Sequence, residues 1–520
     1  MKFIQGTDRH QLTLFPTCLE DSVDAEAEVR LIDLFVDSLD ITSYGFKMDF
    51  IDNGRPAYHP GDLLKLFIYG YLNRIRSSRA LEKECKRNIE LIWLIKGLVP
   101  DHNTISNFRK DNSVSIKKVF RATVEMAKYF DLIGGNLIAG DSTKMRAQNS
   151  KKNNFNSRKI ERHLAYIEQR LAQYQQELAK EDGDTESINK EIKKHKQRKQ
   201  KYEALQKELE NSDQEQISTS DPDSKQMIIR NNITEVAYNV QSTTDAKHHI
   251  PIDYKVTNSN DSKAMGNMLQ RAKTILRGNR FTALYDKGYH TGSEIKTAIL
   301  LGVEPIVAIP AVSSAGMAPD PAYNVSEFAY DPTTHSYTCP QGHQLTTNGS
   351  WYNKERKSSK RKTGTAIRVQ HFKTKACKQC PVLNLCTKNT RGRGRVIERS
   401  EYQAFVDINR RNVEEKESLY QRRQAIIEHN YGTIKRQWNF HYIITKRGID
   451  RASADVGFMF TAYNLRRIFN LIDKKALKEY MRALIPCFYR CLARMEAFLS
   501  PQDISKILYP AHRNFLKLAA

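Results

Sequence analysis

Three carboxylates stand where a chain seldom places one without a use for it. Asp141 follows the short apolar run Asn136-Leu-Ile-Ala-Gly, which has the length and composition of a buried strand. Asp286 ends a second such run, Phe281-Thr-Ala-Leu-Tyr, in the phrase DKGYH. Glu428 lies in the helical stretch QAIIEHNYGTIKR. Burying an unpaired charge at a strand end is costly, so a cation is expected there. Three close carboxylates also repel one another and raise one another's pKa, so a site made of them is metal-dependent by construction.

A second constellation is built on sulfur. Cys339-Pro-Gln-Gly-His343 and Cys377-x2-Cys380-Pro-x4-Cys386 bring four thiols into one segment. Thiolates in such pairs suit tetrahedral Zn²⁺, which staples a small domain of little apolar core; His343 is a spare ligand. Four ordinary reduced cysteines are the alternative. The same segment is strongly basic: residues 341–400 hold 15 Lys and Arg against Glu355 and Glu398, a net of +13. Trp351, Tyr352 and Phe372 are interleaved with these cations. Arg391, Arg393, Arg395 and Trp351 are therefore candidate DNA contacts, neutralising phosphates and stacking on bases. A solvated basic face is the plainer reading.

These residues need elements to position them. Residues 1–125 read as an all-helical domain, with helix starts at Pro60-Gly61-Asp62 and at Asp101. Its basic residues form either a helix-turn-helix DNA reader or a solvated bundle surface. Ile160, Leu164, Ile167, Leu171, Tyr174 and Leu178 then make a heptad seam, broken at Asp182-Gly183-Asp184 and followed by a weaker run through Ile188, Ile192, Tyr202 and Leu205. The span 157–215 is accordingly an antiparallel helical hairpin. Ile250, Ile252, Tyr254 and Val256 alternate with polar residues, as in a half-buried strand. Residues 126–156, 216–310 and 411–475 supply the strands and helices of one α/β core. Residues 311–410 lose helical periodicity and form the basic, Cys-containing insertion, and 476–520 a helical basic tail.

Strand-Asp, strand-Asp, helix-Glu, in that order, resembles the DDE-class insertion-sequence transposases. The resemblance runs from about Tyr58 to about Asn470 and is most specific at GDSTKM, DKGYH and IIEHNYGTIKR. It implies a ribonuclease-H-like mixed-sheet catalytic core in which the Asp141 and Asp286 strands are adjacent. It also implies a DNA-binding helical N-terminal domain and a β-rich insertion. The expected reaction is cleavage at mobile-element ends and strand transfer into target DNA. Asp141, Asp286 and Glu428 would hold two Mg²⁺ (or Mn²⁺) ions, and the enzyme would act as a homodimer on paired DNA ends. In the family's Tyr-x2-Arg-x3-Glu-x6-Lys signature, Glu428 and Lys435 keep the last two positions, Lys435 to hold a phosphate near the metals. The Tyr and Arg slots hold Gln421 and Gln424 instead. Tyr420 and Arg423 are one residue out of register, Arg423 some ~140° from Glu428's face of a regular helix. Asp245, Asp261 and Glu414 are competing acids that lack the strand-end or helix context. A ribonuclease-H-like nuclease without transposition, or an inactive DNA-binding derivative, are the alternatives.

The totals agree with a polyanionic partner. The 520-residue chain has 83 Lys and Arg against 59 Asp and Glu, a formal charge of +24. No apolar run approaches the ~18 residues of a membrane span, and the N-terminus lacks the apolar core of a signal peptide. Cytoplasmic, nucleoid-associated placement is the expectation.

Overall fold

The computed structural model describes residues 18–46, 56–179, 185–212, 214–230, 233–278, 280–312, 317–354, 366–389 and 394–496, with side chains to 485. The N-terminal part is helical: α1 (Glu28–Asp37), α2 (Pro60–Leu72), α3 (Ser78–Glu84), α4 (Ile89–Leu94), α5 (His102–Asp111) and α6 (Ser113–Tyr129). Two starts follow directly from sequence. Pro60 occupies the first turn of α2, where its missing N–H costs nothing, and His59 Nδ1 accepts from the Gly61 amide at 3.1 Å. Asp101 caps α5, accepting from the Asn103 and Thr104 amides at 2.8 and 3.1 Å.

The chain then enters β1 (Leu137–Arg146) and leaves for an arm: β2 (Asn154–Phe155), α7 (Ser157–Leu178), α8 (Thr185–Asn211) and β3 (Ile217–Ser218). β2 and β3 pair and close its base, around Phe155, Ile160, Leu205, Leu209 and Ile217. The Asp182–Asp184 break lies outside the described residues. Next come β4 (Lys225–Arg230), β5 (Ile233–Asp245), β6 (Pro251–Thr257), α9 (Met265–Ile275), β7 (Thr282–Tyr285), α10 (Gly292–Leu300) and β8 (Glu304–Val307). These complete a mixed sheet ordered β6–β5–β1–β7–β8, in which β1, β7 and β8 run parallel and β5 is antiparallel to its neighbours. β5 is long enough to pair β4 along its first half and β6 along its second. A mixed sheet with helices on its faces is the α/β class expected from the order of elements.

One strand departs from its pattern. β6 alternates like a half-buried strand, yet its two faces are both covered. Tyr254 stacks on Phe460 and meets Phe120 edge-on. The polar side is covered by α9, whose Arg271 donates to both oxygens of the fully buried Asp253, at 2.6 and 2.7 Å. An ion pair makes a charged position buriable, which alternation alone does not reveal.

Beyond β8, the strands β9 (Ala329–Asp331), β10 (Ser336–Thr338) and β11 (Gln344–Leu345) form one small sheet. β12 (Tyr352–Lys354), β13 (Ile367–Phe372) and β14 (Ile397–Ser400) form another, with the short α11 (Leu383–Cys386) between the last two. Phe328, Tyr337, Leu345, Phe372, Cys386 and Ile397 are their common core. The chain returns to the large sheet through α12 (Gln403–Glu415) and α13 (Glu417–Tyr431), which continues as a π-helical stretch over Gly432–Gln437. It ends in α14 (Ile449–Leu471) and α15 (Lys474–Glu496).

α14 packs on α2, α6 and β6 and carries Asp455, which is fully buried. Its carboxylate accepts from the Ile444 amide at 2.8 Å, from Arg76 at 3.4 Å and from the Tyr71 hydroxyl. Arg109 lies 3.9 Å away and donates to the Tyr71 hydroxyl at 3.0 Å. The N-terminal helices are thus joined to the C-terminal ones by buried, hydrogen-bonded charge.

Candidate active site

β1 and β7 pair in parallel, Ile138 opposite Ala283 and Ala139 opposite Leu284. Two residues further along this register stand Asp141 and Asp286. Asp286 follows the end of β7, but Asp141, expected at a strand end, lies in the middle of β1, because pairing with β5 carries that strand on to Arg146. The approach is close because residue 140 is glycine. A Cβ there would lie 2.1 Å from the ring of Tyr285, so only glycine lets that ring cross β1.

Asp141 is mostly shielded, its side chain 23% exposed. One oxygen accepts from the Ser142 amide at 2.7 Å and the other from Arg423 of α13 at 3.0 Å. Burial pushes its carboxyl pKa above the ordinary range, Asp286 adds to the rise, and Arg423 only partly offsets it. Asp286 caps the turn that follows it, accepting from the Gly288 amide at 2.9 Å.

α13 lies across β1, β5 and β7. Arg423 reaches Asp141 from one turn, and Tyr431 reaches the Asp141 carbonyl at 3.2 Å and Ser242 Oγ at 2.7 Å from another. Glu428 lies between them in sequence, is exposed, and accepts from Gln424 at 2.8 Å. The face meeting Asp141 is therefore that of Arg423, the residue whose register with the family signature is off by one. Among the described residues, no three His, Cys, Asp or Glu side chains are gathered as a metal-holding group. Hard carboxylate oxygens at Asp141 and Asp286, one of them destabilised by burial, are nevertheless the donor chemistry that Mg²⁺ takes.

Lys435 falls in the π-helical stretch, which shifts its angular register to Glu428 relative to a regular helix. Its ammonium donates to Thr143 Oγ1 at 2.8 Å and to the Lys144 carbonyl at 3.2 Å, on the same strand as Asp141. Burial, with Lys144 and Arg436 nearby, lowers its pKa.

A layer of phenols that the acidic motifs do not single out surrounds Asp141. Tyr285, Tyr289 and Tyr431 all lie within electrostatic reach of Asp141, and burial raises the pKa of each. Tyr289 donates to Gln241. The signal was present, since Tyr285 and Tyr289 flank Asp286 and Tyr431 follows Glu428 by three residues.

The competing acids have other partners. Asp245 does end a strand, β5, but it is fully buried and accepts from the Gly134, Gly135 and Lys247 amides at 3.0, 2.8 and 2.9 Å. Asp261 accepts from Asn239 and Gln241, each at 2.7 Å, and from Lys144 at 3.0 Å. Glu414, read in the sequence as lacking helix context, is in fact helical, on the exposed side of α12.

In the insertion, Cys339, Cys377, Cys380 and Cys386 line one small pocket with His343 and Arg395, and all four are free thiols. Burial raises the Cys386 thiol pKa; Arg395 opposes this, while Cys377, Cys380 and Cys339 add to it. Arg395 donates to the Cys386 carbonyl at 2.9 Å and so braces this pocket. Arg391 and Arg393 lie outside the described residues. Trp351 is exposed on the surface, with the Arg368 guanidinium 5.7 Å from its ring. Phe372, grouped with it in the sequence, is fully buried in the insertion's core and offers no base-stacking surface.

Residues 17–111 match the family described as Transposase domain (DUF772), and residues 338–469 match the Transposase DDE domain. The second match spans most of the cysteine segment together with α13 and α14. No curated protein matches the chain. Among solved structures it is similar to a cryo-EM piggyBac transposase synaptic complex with hairpin DNA, at 10% identity over 92% of this chain and 85% of that one. The TM-score is 0.29, too low to bear on the fold. Among the described residues, no helix is long and apolar enough to cross a membrane.

Proposed function

We propose that this chain, a DDE-type transposase by its two domain matches, cuts the ends of a mobile DNA element and joins them to target DNA. The observation that carries the reading is the parallel pairing of β1 and β7, whose register, carried two residues on, sets Asp141 against Asp286 just past β7, with α13 laid across both strands. The strand order supports a ribonuclease-H-like core. Asp141, Asp286 and Glu428 would hold the divalent ions. When bound, such ions activate a water or 3′-hydroxyl and stabilise the leaving oxygen. Arg423 orients the Asp141 carboxylate and offsets part of its charge. Lys435, anchored beside Thr143, lies along β1 from Asp141, where a phosphate would approach. Tyr431 props the backbone beneath Asp141 through its hydroxyl.

The basic insertion supports DNA as partner through Trp351 and its cations, and two copies of the chain would act on paired ends. The four thiols at one pocket support a structural Zn²⁺ held by Cys339, Cys377, Cys380 and Cys386. Metal analysis of freshly purified, reduced protein tests this, with one zinc per chain expected.

Purified protein on duplexes carrying the element's ends, with and without Mg²⁺, tests the main reading. Wild type should cleave only with metal. Asp141→Asn should lose cleavage by orders of magnitude while still binding the duplex. One observation favours an inactive DNA-binding descendant, namely the outward carboxylate of Glu428. Wild-type protein that binds ends but never cuts them would establish that alternative.

A further inference from the structure

The arm formed by α7 and α8 has no part in the site just described, and its two helices carry charge differently. α7 mixes signs along its length: Arg158, Arg162 and Arg170 alternate with Glu161, Glu168 and Glu177. On α8, the stretch KEIKKHKQRKQK (190–201) holds seven Lys and Arg against the single acid Glu191. The side chain at its centre, His195, is buried against Tyr166 and Tyr174 of α7 and fixes which way α8 faces. Counted at 100° per residue from His195, Lys190, Lys193, Lys194, Lys196 and Lys201 fall on the far side of α8. All five are exposed.

Lys194 pairs with Glu191, and Lys199, nearer the seam, with Glu168. Among the described residues no ion pair joins Lys190, Lys193, Lys196 or Lys201 to an acid. Like charges three and four residues apart, such as Lys190 with Lys193 and Lys194, weaken a helix. A face needed only for solubility gains more from the mixed signs seen on α7. Concentrating one sign on one outer face suits a surface that meets the opposite charge.

We propose that the outer face of α8 is a second grip on duplex DNA, contacting phosphates rather than bases. This rests on the reading of the chain as acting on DNA and adds to it where the DNA runs. Lys190 to Lys201 spans about 17 Å of helix, a length over which duplex DNA presents roughly ten phosphates. The arm is the next structure after β1, the strand that carries Asp141, so it is tethered to the same sheet as the acids. Lysines with no planar fork and no interleaved exposed aromatics suit backbone contact without sequence reading.

The test uses full-length protein in which Lys190, Lys193, Lys196 and Lys201 are changed together to Gln, a good helix former, with the four-fold Lys→Arg protein as control. Affinity for a 40-bp end duplex and an unrelated 40-bp duplex (roughly the 140 Å such a length spans) is measured over a salt series. The expected result is weaker binding to both duplexes, at least about tenfold at low salt, and a log–log salt slope reduced by up to about 3.6 (four contacts). The Arg control should bind as wild type does. An unchanged slope in a Gln variant of wild-type helicity overturns the proposal. So does a shift from dimer to monomer with DNA affinity intact, which would make the face a protein contact. If wild type itself bound neither duplex, the DNA-acting reading would fall, not only this grip.

Discussion

Between Arg146 and Lys225 the chain leaves the central sheet, builds the arm and comes back, so the two regions share neighbours in sequence but little in construction. The sheet buries polar groups at its centre: Asn239, Gln241, Ser242, Thr243, Thr244 and Asp245 are successive or nearly successive buried residues of β5. Most are held by named partners, Asn239 and Gln241 by Asp261, Ser242 by Tyr431, Thr244 by Asn430. The arm buries a small apolar cluster at its base and, farther out, little more than Ile167 and His195, its outer faces being exposed. Interlocked, satisfied polar groups rigidify a core, as strands bearing Asp141 and leading to Asp286 need. A two-helix arm with a thin core supplies reach and charge.

Gly140→Val should break the first half of this contrast most severely. The new side chain collides with Tyr285 inside a covered sheet, at a cost of about 3 kcal/mol or more, enough to lose most folded protein. Soluble yield and thermal melting read this out, and a normal melt would show that the strands need no such closeness. Leu209→Ala, at the base of the arm, should cost about 2–4 kcal/mol, but locally. Hydrogen exchange should accelerate along α7 and α8 while amides of β1 and β5 stay protected; loss of protection in both would mean the regions are one cooperative unit.

A smaller effect concerns charge. The Asp141 carboxyl has a folded pKa above its unfolded value, so the stability tied to its protonated form is present in acid and is lost as pH rises through the folded pKa. Metal-free Asp141→Asn protein should therefore melt higher than wild type at pH 7, with the gap closing towards pH 4. Added Mg²⁺ should raise the wild-type melt and not that of the variant. Leu171→Ala, on the outer part of the seam where burial is only partial, should change stability by less than about 1 kcal/mol.

How much could be read in advance follows from the same contrast. Ile160 and Ile167 of the heptad seam are buried, because an isolated helix pair has only its own periodicity to satisfy. The strand leading to Asp286 and the first half of the strand holding Asp141 are visible as apolar runs, since those stretches are buried; the continuation of β1 from Asp141 to Arg146 is polar and not legible as strand. β5 was legible as a strand, but its buried polar residues say nothing about where their partners lie. Arg423 shows the limit most clearly. A signature centred on Glu428 puts it out of register, whereas the packing of α13 on the sheet decides which face meets Asp141. The role suggested for Phe372 failed for a similar reason, because interleaving in sequence does not separate a core ring from an exposed one.

The buried meeting of Asp455 with Arg76, Arg109 and Tyr71 has a consequence for inheritance. Arg76 and Arg109 lie in the segment matching one transposase family and Asp455 in the segment matching the other. Removing one side of such a pairing strands the other in the interior, at a cost of about 3–5 kcal/mol. An N-terminal domain imported from a distant relative would have to bring cations to the same two places, or the recipient would have to surrender its aspartate in the same event. Shuffling at this junction is thereby penalised, and the two segments are constrained to travel as a pair.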